Sequence, residues 1–304
     1  MRVAPIVRVL TVTGLYVVSG PAQAQTPETS PRVGLSNGSF IAVGGGTPAD
    51  VVARFIALAG GPDAPIVAIP PSPICMLEPG GEPKYGDACA AMGVVARRPG
   101  IAEARRPQTL AEGTEAFFRS AGARNVTVLE TYDRAVADSD TFVAPLRRAS
   151  GVWTMGGTPQ KLVEVFGGTK MEAELRNLLA RGGVFGGTSA GAAIIGSHYT
   201  LDFVGAAGYP LSPGFGFLRN VMVVVHAREL SNLAREAAKY PERVVLAVDE
   251  RTAWEIHGDL AEVVGQGNAF VIGEDPAAPG KGYLTLRAGD RYDMATRQVS
   301  RAAR

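Results

Sequence analysis

The sequence predicts an α/β protein: three layers, a mostly parallel sheet with helices on both faces, and a hairpin extension toward the C-terminus. Three observations predict it. Short β-branched runs alternate with stretches of helical apolar spacing between residues 40 and 248, the signature of strands joined by crossover helices. Several runs end in glycine pairs or triplets, as tight strand-to-helix turns do. The length left after an N-terminal leader is enough to bury one large core.

The leader comes first. Arg2 and Arg8 give a basic start, Val9 to Val18 an apolar run, and Ala22-Gln23-Ala24 a small-residue cleavage site. This is the layout of a secretory signal peptide, and the run is short for a membrane span. Residues 1–24 are therefore expected to be a signal peptide cleaved near Ala24, with the protein exported to the periplasm or beyond. Residues 25–38 read as a linker and 39–304 as a single domain.

Within that domain Phe40 to Val43 reads as a strand ending in Gly44-Gly45-Gly46, followed by a helix over Pro48 to Ala59. Ile66 to Ile69 is a strand, Thr109 to Ala121 a helix, and Val126 to Leu129 a strand. Gly151 to Thr154 is a strand that runs into Gly156-Gly157, and Met171, Leu175, Leu178 and Leu179 mark one helix face up to Arg181. Val184-Phe185 is a strand and Ala190 to Ser197 a helix. Val221 to Val225, a helix over Glu229 to Lys239, and Val244 to Val248 follow. Trp254 to Ile256, Glu262 to Val264 and Ala269 to Ile272 are the strands of the hairpin extension.

Residues 71–107 break this rhythm with prolines, glycines and paired arginines, and read as an insertion loop, either a lid over a site or a surface decoration. It holds Cys75 and Cys89, the only cysteines. In an oxidising compartment they could close a short loop worth about 3 kcal/mol, or they could stay unpaired. No metal-ligand spacing surrounds them, so no zinc site is expected there. Removing the leader takes the formal charge from +1 to −1. That balance argues against a nucleic-acid partner, and no later run is long enough to span a membrane.

The chemistry centres on "GGVFGGTSAGAAII", residues 182–195. Gly187-Thr188-Ser189-Ala190-Gly191 is a G-x-S-x-G pattern between a strand and a helix, the setting of a nucleophile elbow. The flanking residues must be small because the serine sits on a strained turn against its neighbours. The same turn aims the Ala190 N–H at the place where an oxyanion would form. The bare pattern arises easily by chance, so the surrounding strand, helix and second glycine turn carry the weight.

A serine nucleophile needs a base, and His198, His226 and His257 are the only histidines. His226 ends a strand, where an active-site rim would lie. His198 falls one to two turns along the expected elbow helix, and His257 precedes a glycine in an apparent turn. The base needs an anion to orient it, and Asp249-Glu250, at the end of another strand, is the source; the alternation of strand side chains lets only one of them serve.

At these residues the chain resembles the cyanophycinase and aspartyl dipeptidase (dipeptidase E-like) family of serine peptidases. The resemblance is carried by Gly182 to Ala193, the Trp153 to Gly157 turn, "VFGGTKMEAEL" from Val165 to Leu175, and "AVDERTAWEI" from Ala247 to Ile256, within an overlap from Phe40 to Gly273. It implies a fold related to class I glutamine amidotransferases, with serine in place of their cysteine. It further implies Ser189 as nucleophile, His226 as base, Glu250 as the orienting acid, and Gly156 or Gly157 as the second oxyanion donor beside Ala190. Members cleave peptide bonds at aspartyl residues, β-aspartyl linkages included, without a cofactor.

Two departures bear on substrate. The family's Gly-Gly-Asp-Gln stands here as Gly156-Gly157-Thr158-Pro159-Gln160, and the polar residues that cyanophycinases carry before the histidine are Val224 and Val225. Gln160 and Arg228 are left as candidate substrate-binding residues. The expected activity is that of an exported serine exopeptidase taking small aspartyl or β-aspartyl peptides; the expected partners are a small peptide or polypeptide substrate and, as a candidate homodimer, a second copy of the chain. Two rivals stand against it: an esterase of ordinary α/β-hydrolase order, with His257 as base and an acid such as Asp202, and an inert periplasmic binding domain that keeps the elbow as a relic.

Overall fold

The computed structural model describes residues 33–34, 37–72, 110–200, 211–227, 229–273 and 279–303. The leader, the cysteine pair, nearly all of 71–107, Asp202 and Arg228 lie outside them. β1 (Ser39–Val43), α1 (Ala49–Leu58) and β2 (Ile66–Ile69) come first, then α2 (Leu110–Ser120) and β3 (Val126–Val128). The short helices α3 (Arg134–Ala137) and α4 (Asp140–Val143) and a 3-10 turn lead into β4 (Gly151–Thr154). α5 (Pro159–Phe166) and α6 (Lys170–Ala180) precede β5 (Val184–Thr188), and α7 (Ala190–Ala193) follows it. Next are β6 (His198–Thr200), β7 (Leu211–Pro213), β8 (Val221–Val224), α8 (Leu230–Ala237) and β9 (Val244–Val248). The chain ends with β10 (Thr252–His257), β11 (Leu260–Gly265), β12 (Ala269–Ile272), β13 (Tyr283–Leu286), β14 (Arg291–Asp293) and β15 (Gln298–Ser300).

The expectation of one mostly parallel sheet is corrected by the pairing. The described strands form two mixed sheets, ordered β15-β14-β11-β10-β1-β5-β4-β2-β3 and β13-β12-β9-β8-β6-β7. Only β1-β5-β4-β2-β3 and β6-β8-β9 are parallel blocks. The expected C-terminal hairpin is split between the sheets. β10 and β11 pair antiparallel and extend the first sheet beyond β1, whereas β12 pairs with β9 in the second. Hydrophobic runs report burial on both faces, which is the same for a strand in either sheet; they say nothing about which strand lies alongside.

Alternation along each strand builds the layers. Phe40, Ala42, Val67 and Ile69 face one apolar cluster, and Ile41, Val43, Ile66 and Ala68 face the other. On the second side α1 and α2 bring Phe55 and Phe118 edge-on to Trp153, with ring centroids at 4.9 and 5.9 Å. The first side takes Leu162 of α5, Leu175 and Leu178 of α6, and Val223 and Leu246 of the second sheet. The outer face of that second sheet is closed by Leu233 of α8 against Met222, Val224 and Val245. Buried helix positions fall where the 3.6-residue period puts them: Val51, Val52, Phe55 and Ile56 in α1, and Met171, Leu175, Leu178 and Leu179 in α6.

Asp290 locks the C-terminal strands. It is fully buried and accepts bonds from the backbone N–H groups of Arg287 and Ala302, each at 3.0 Å, and from Arg301 Nη1 at 2.9 Å. Burial pushes its carboxyl pKa up, but those donors together outweigh it and hold the group below its ordinary value. A depressed folded-state pKa contributes stability above the unfolded value, about 3.9, that is lost as pH falls through the folded one. Asp290→Asn is therefore expected to lower the urea midpoint at pH 7, by a stability on the order of 2 kcal/mol. The gap from the unaltered protein should close as the medium is taken below pH 4; a gap independent of pH would contradict the assignment.

Candidate active site

Strand register brings the ends that matter to common edges. In the first sheet Val43 aligns with Thr188, and Thr154 with Gly187, so β1, β4 and β5 finish together. In the second, Val224 aligns with Ala247. Ser189 follows β5 directly, His226 comes two residues after β8, and Glu250 two after β9.

Ser189 sits at φ 54° and ψ −122°, a region an L-residue enters at a cost of about 1–3 kcal/mol. The surrounding bonds enforce it. The Ser189 N–H donates to the Val43 carbonyl at 2.9 Å, and its own carbonyl accepts from Ala192 and Ala193. The small flanks are required by contact: a Cβ on Gly187 would stand 2.3 Å from the Gly191 carbonyl oxygen, and one on Gly191 would stand 2.2 Å from that of Thr154. The helix after the elbow is shorter than expected, ending at Ala193 instead of Ser197. The carbonyls of Ile194, Ile195 and Gly196 are taken by N–H groups of residues 215–218, which ends the helical ladder.

The structure brings Ser189, His226 and Glu250 into one hydrogen-bonded line. Ser189 Oγ lies 2.8 Å from His226 Nε2, and His226 Nδ1 lies 2.5 Å from Glu250 Oε1. With Nδ1–H donating to the carboxylate, Nε2 is the acceptor for the serine hydroxyl. The imidazole is 29% exposed and the carboxylate 44%, so the line opens to solvent. His226 also has positive φ, 52°.

Asp249 does not compete for the imidazole. Its Oδ1 accepts the Glu250 N–H at 2.9 Å, capping the backbone of the residue that does reach His226. The other histidines are elsewhere. His198 opens β6 instead of lying on the elbow helix; it pairs with Met222 near the start of β8, and its Nδ1 is 3.2 Å from Ser197 Oγ. Burial, with the Arg243 charge as the lesser cause, lowers its pKa. His257 aligns with Ser39 at the start of β1 and meets its hydroxyl at 3.1 Å. It therefore lies at the opposite edge of the sheet from Thr188.

Gly156 is against the serine: a Cβ there would be 3.1 Å from Ser189 Cβ and 3.6 Å from Oγ. Gly157 follows at φ 114°. Ala190, fully buried, is the first residue of α7. Gln160, in the first turn of α5, has a buried Oε1 with no hydrogen-bond partner among the described residues. Gly45, read from the sequence only as part of a strand end, proves to be the back wall of the line. A Cβ on it would meet Glu250 Oε2 at 2.3 Å and His226 Cε1 at 2.6 Å. Three successive glycines after the first strand were the visible signal, since a strand end alone does not require them.

The model of peptidase family S51 matches residues 100–264, just over half of the chain. The cyanophycinase of Synechococcus elongatus is 30% identical over 179 residues, 55% of this chain and 55% of that enzyme. The cyanophycinase of Geminocystis herdmanii is 26% identical over 221 residues, 64% of this chain and 80% of that one. The chain thus spans about half the length of the first of these curated relatives. Among solved structures, a peptidase from an acI-B1 Actinobacterium is similar with a TM-score of 0.56 at 20% identity, covering 86% of this chain and 98% of that one. That is a likeness of fold.

Proposed function

The chain belongs to peptidase family S51, and from that premise we propose that it is a serine exopeptidase, exported, acting on small aspartyl or β-aspartyl peptides. The observation that carries the reading is the line from Ser189 Oγ through His226 to Glu250, with the serine on a strained turn. In this reading His226 Nε2 takes the hydroxyl proton as Ser189 attacks the scissile carbonyl. The carbonyl oxygen becomes an oxyanion held by the Ala190 N–H and an N–H of the Gly156-Gly157 turn. His226 then returns the proton to the leaving amine, and water attacking the acyl-serine repeats the sequence. Glu250 holds the imidazolium throughout; Asp249 and Gly45 hold Glu250.

Export rests on the residue 1–24 pattern. Among the described residues no helix is long and apolar enough to cross a membrane. The substrate class rests on the relatives, which are cyanophycinases, tempered by what stands before His226. Val224 and Val225 are 8% and 3% exposed and offer no polar group to a charged polymer. A pocket without matching hydrogen bonds discriminates weakly for such a ligand, so short aspartyl peptides are favoured over cyanophycin.

The test is a fluorophosphonate probe and a substrate panel. The purified protein should take one probe molecule on Ser189 and hydrolyse α- or β-aspartyl dipeptides faster than cyanophycin. Absence of both labelling and hydrolysis would sink the reading and favour a binding protein. Gly45→Ala should slow labelling by about a hundredfold, the cost of displacing an acid–base pair by roughly 1 Å. Its circular dichroism should stay native, and unaltered labelling would remove Gly45 from the site.

A further inference from the structure

The segment Pro70-Pro71-Ser72 leaves β2 for the glycine turn beside Ser189. Two of its three residues have no backbone N–H. The one N–H that remains, that of Ser72, is donated to the Gly156 carbonyl at 3.0 Å. The Ser72 hydroxyl donates to the Thr158 carbonyl at 3.1 Å and accepts from the Thr158 N–H at 2.8 Å. Ser72 is only 5% exposed, so water competes little for these bonds. Shape adds to them, because a Cβ on Gly157 would fall 2.1 Å from the Ser72 carbonyl oxygen.

The peptide between Gly156 and Gly157 is planar, and its C=O and N–H point to opposite sides. With the Gly156 carbonyl fixed on Ser72, the Gly157 N–H faces away from the proline strap. Gly156 stands against Ser189, where a Cβ on it would be 3.1 Å from Ser189 Cβ. Two successive glycines have no side chain to resist rotation of that peptide, and rotation would turn a carbonyl oxygen toward the oxyanion instead of an N–H.

We infer that Ser72 is a positioning residue: it locks the Gly156–Gly157 peptide so that the Gly157 N–H, not that of Gly156, is the second oxyanion donor opposite Ala190. This rests on the reading of Ser189 as nucleophile. The lock acts in the transition state, when charge reaches the oxygen, and leaves ground-state binding alone.

Fluorophosphonate inactivation tests it, because the attacked P–O group develops charge in the same place. Ser72→Ala, which keeps the N–H but loses both hydroxyl bonds, should lower kinact about tenfold with KI unchanged, a fraction of the ~100-fold or more that deleting a donor costs. Ser72→Thr, which keeps the hydroxyl, should restore kinact. Thermal midpoints of both variants identify any general loosening. Unchanged kinact in Ser72→Ala, a loss confined to KI, or a Thr variant no better than Ala would each overturn the lock. Failure of the unaltered protein to label at all would instead overturn the peptidase reading beneath it.

Discussion

Ser189→Ala is expected to abolish peptide hydrolysis while leaving the fold intact. The hydroxyl is the only nucleophilic group in the hydrogen-bonded line, and nothing in an alanine can accept an acyl group. In enzymes whose serine and histidine act as a unit, losing the serine costs on the order of 10⁶ in kcat. What survives, about 10³ to 10⁴ over water, comes from the oxyanion donors and binding. Stability should hardly move, because alanine keeps the Cβ and hence the strain at φ 54°. Ser189→Gly separates the two effects: it should be equally inactive yet more stable, by about 1–2 kcal/mol, since glycine occupies that region with little strain. Initial rates on aspartyl dipeptides and urea midpoints check both. Full activity in Ser189→Ala would remove the serine from the chemistry.

Parts of this site were legible in the sequence because the constraint on them is local. The elbow requires small residues at Gly187 and Gly191 whatever else surrounds it, and the strand before it is apolar because both its faces are buried. His226 and the Asp249-Glu250 pair were legible as strand ends, where parallel strands place their ligands. Which carboxylate reaches the imidazole was not legible from alternation, since both residues lie past the end of β9 and the turn decides. There Asp249 caps the Glu250 N–H, Gly45 O accepts the Arg251 N–H at 2.7 Å, and Thr252 Oγ1 donates to the Glu250 carbonyl.

The less legible features are contacts between segments distant in sequence. Gly45 is some 200 residues from the carboxylate it backs, and Ser72 lies 86 residues from the turn it bonds. Periodicity carries no record of such meetings. The division into two sheets has the same cause. β9 and β5 are both buried along their whole length, and burial alone does not say which partners each takes. The shortened elbow helix is a third instance, ended where N–H groups from residues 215–218 take the carbonyls of Ile194, Ile195 and Gly196; Gly191 lies inside the helix, and at Gly196 a Cβ would be 2.6 Å from the Val221 carbonyl oxygen.

His226→Ala should be as damaging as loss of the serine, on the order of 10⁶ in kcat, because a serine hydroxyl at neutral pH attacks slowly unless its proton has somewhere to go. The contrast with His257→Ala makes the experiment decisive. An ordinary α/β-hydrolase runs in the order serine, acid, histidine, and the esterase alternative takes His257 as its base. That histidine aligns with Ser39 while Ser189 follows Thr188, the partner of Val43. Four residues of extended strand, about 13 Å, separate the two edges, and a base must come within about 3 Å of the proton it takes. His257→Ala should therefore lose only the exposed contact to Ser39, leave kcat unchanged, and shift stability by no more than about 0.5 kcal/mol. Free imidazole offers a further check. The cavity left in His226→Ala opens toward solvent, so added imidazole should restore part of the labelling there and none in Ser189→Ala. An active His226→Ala protein beside a dead His257→Ala one would reverse the assignment and make the 2.8 Å contact between Ser189 and His226 incidental.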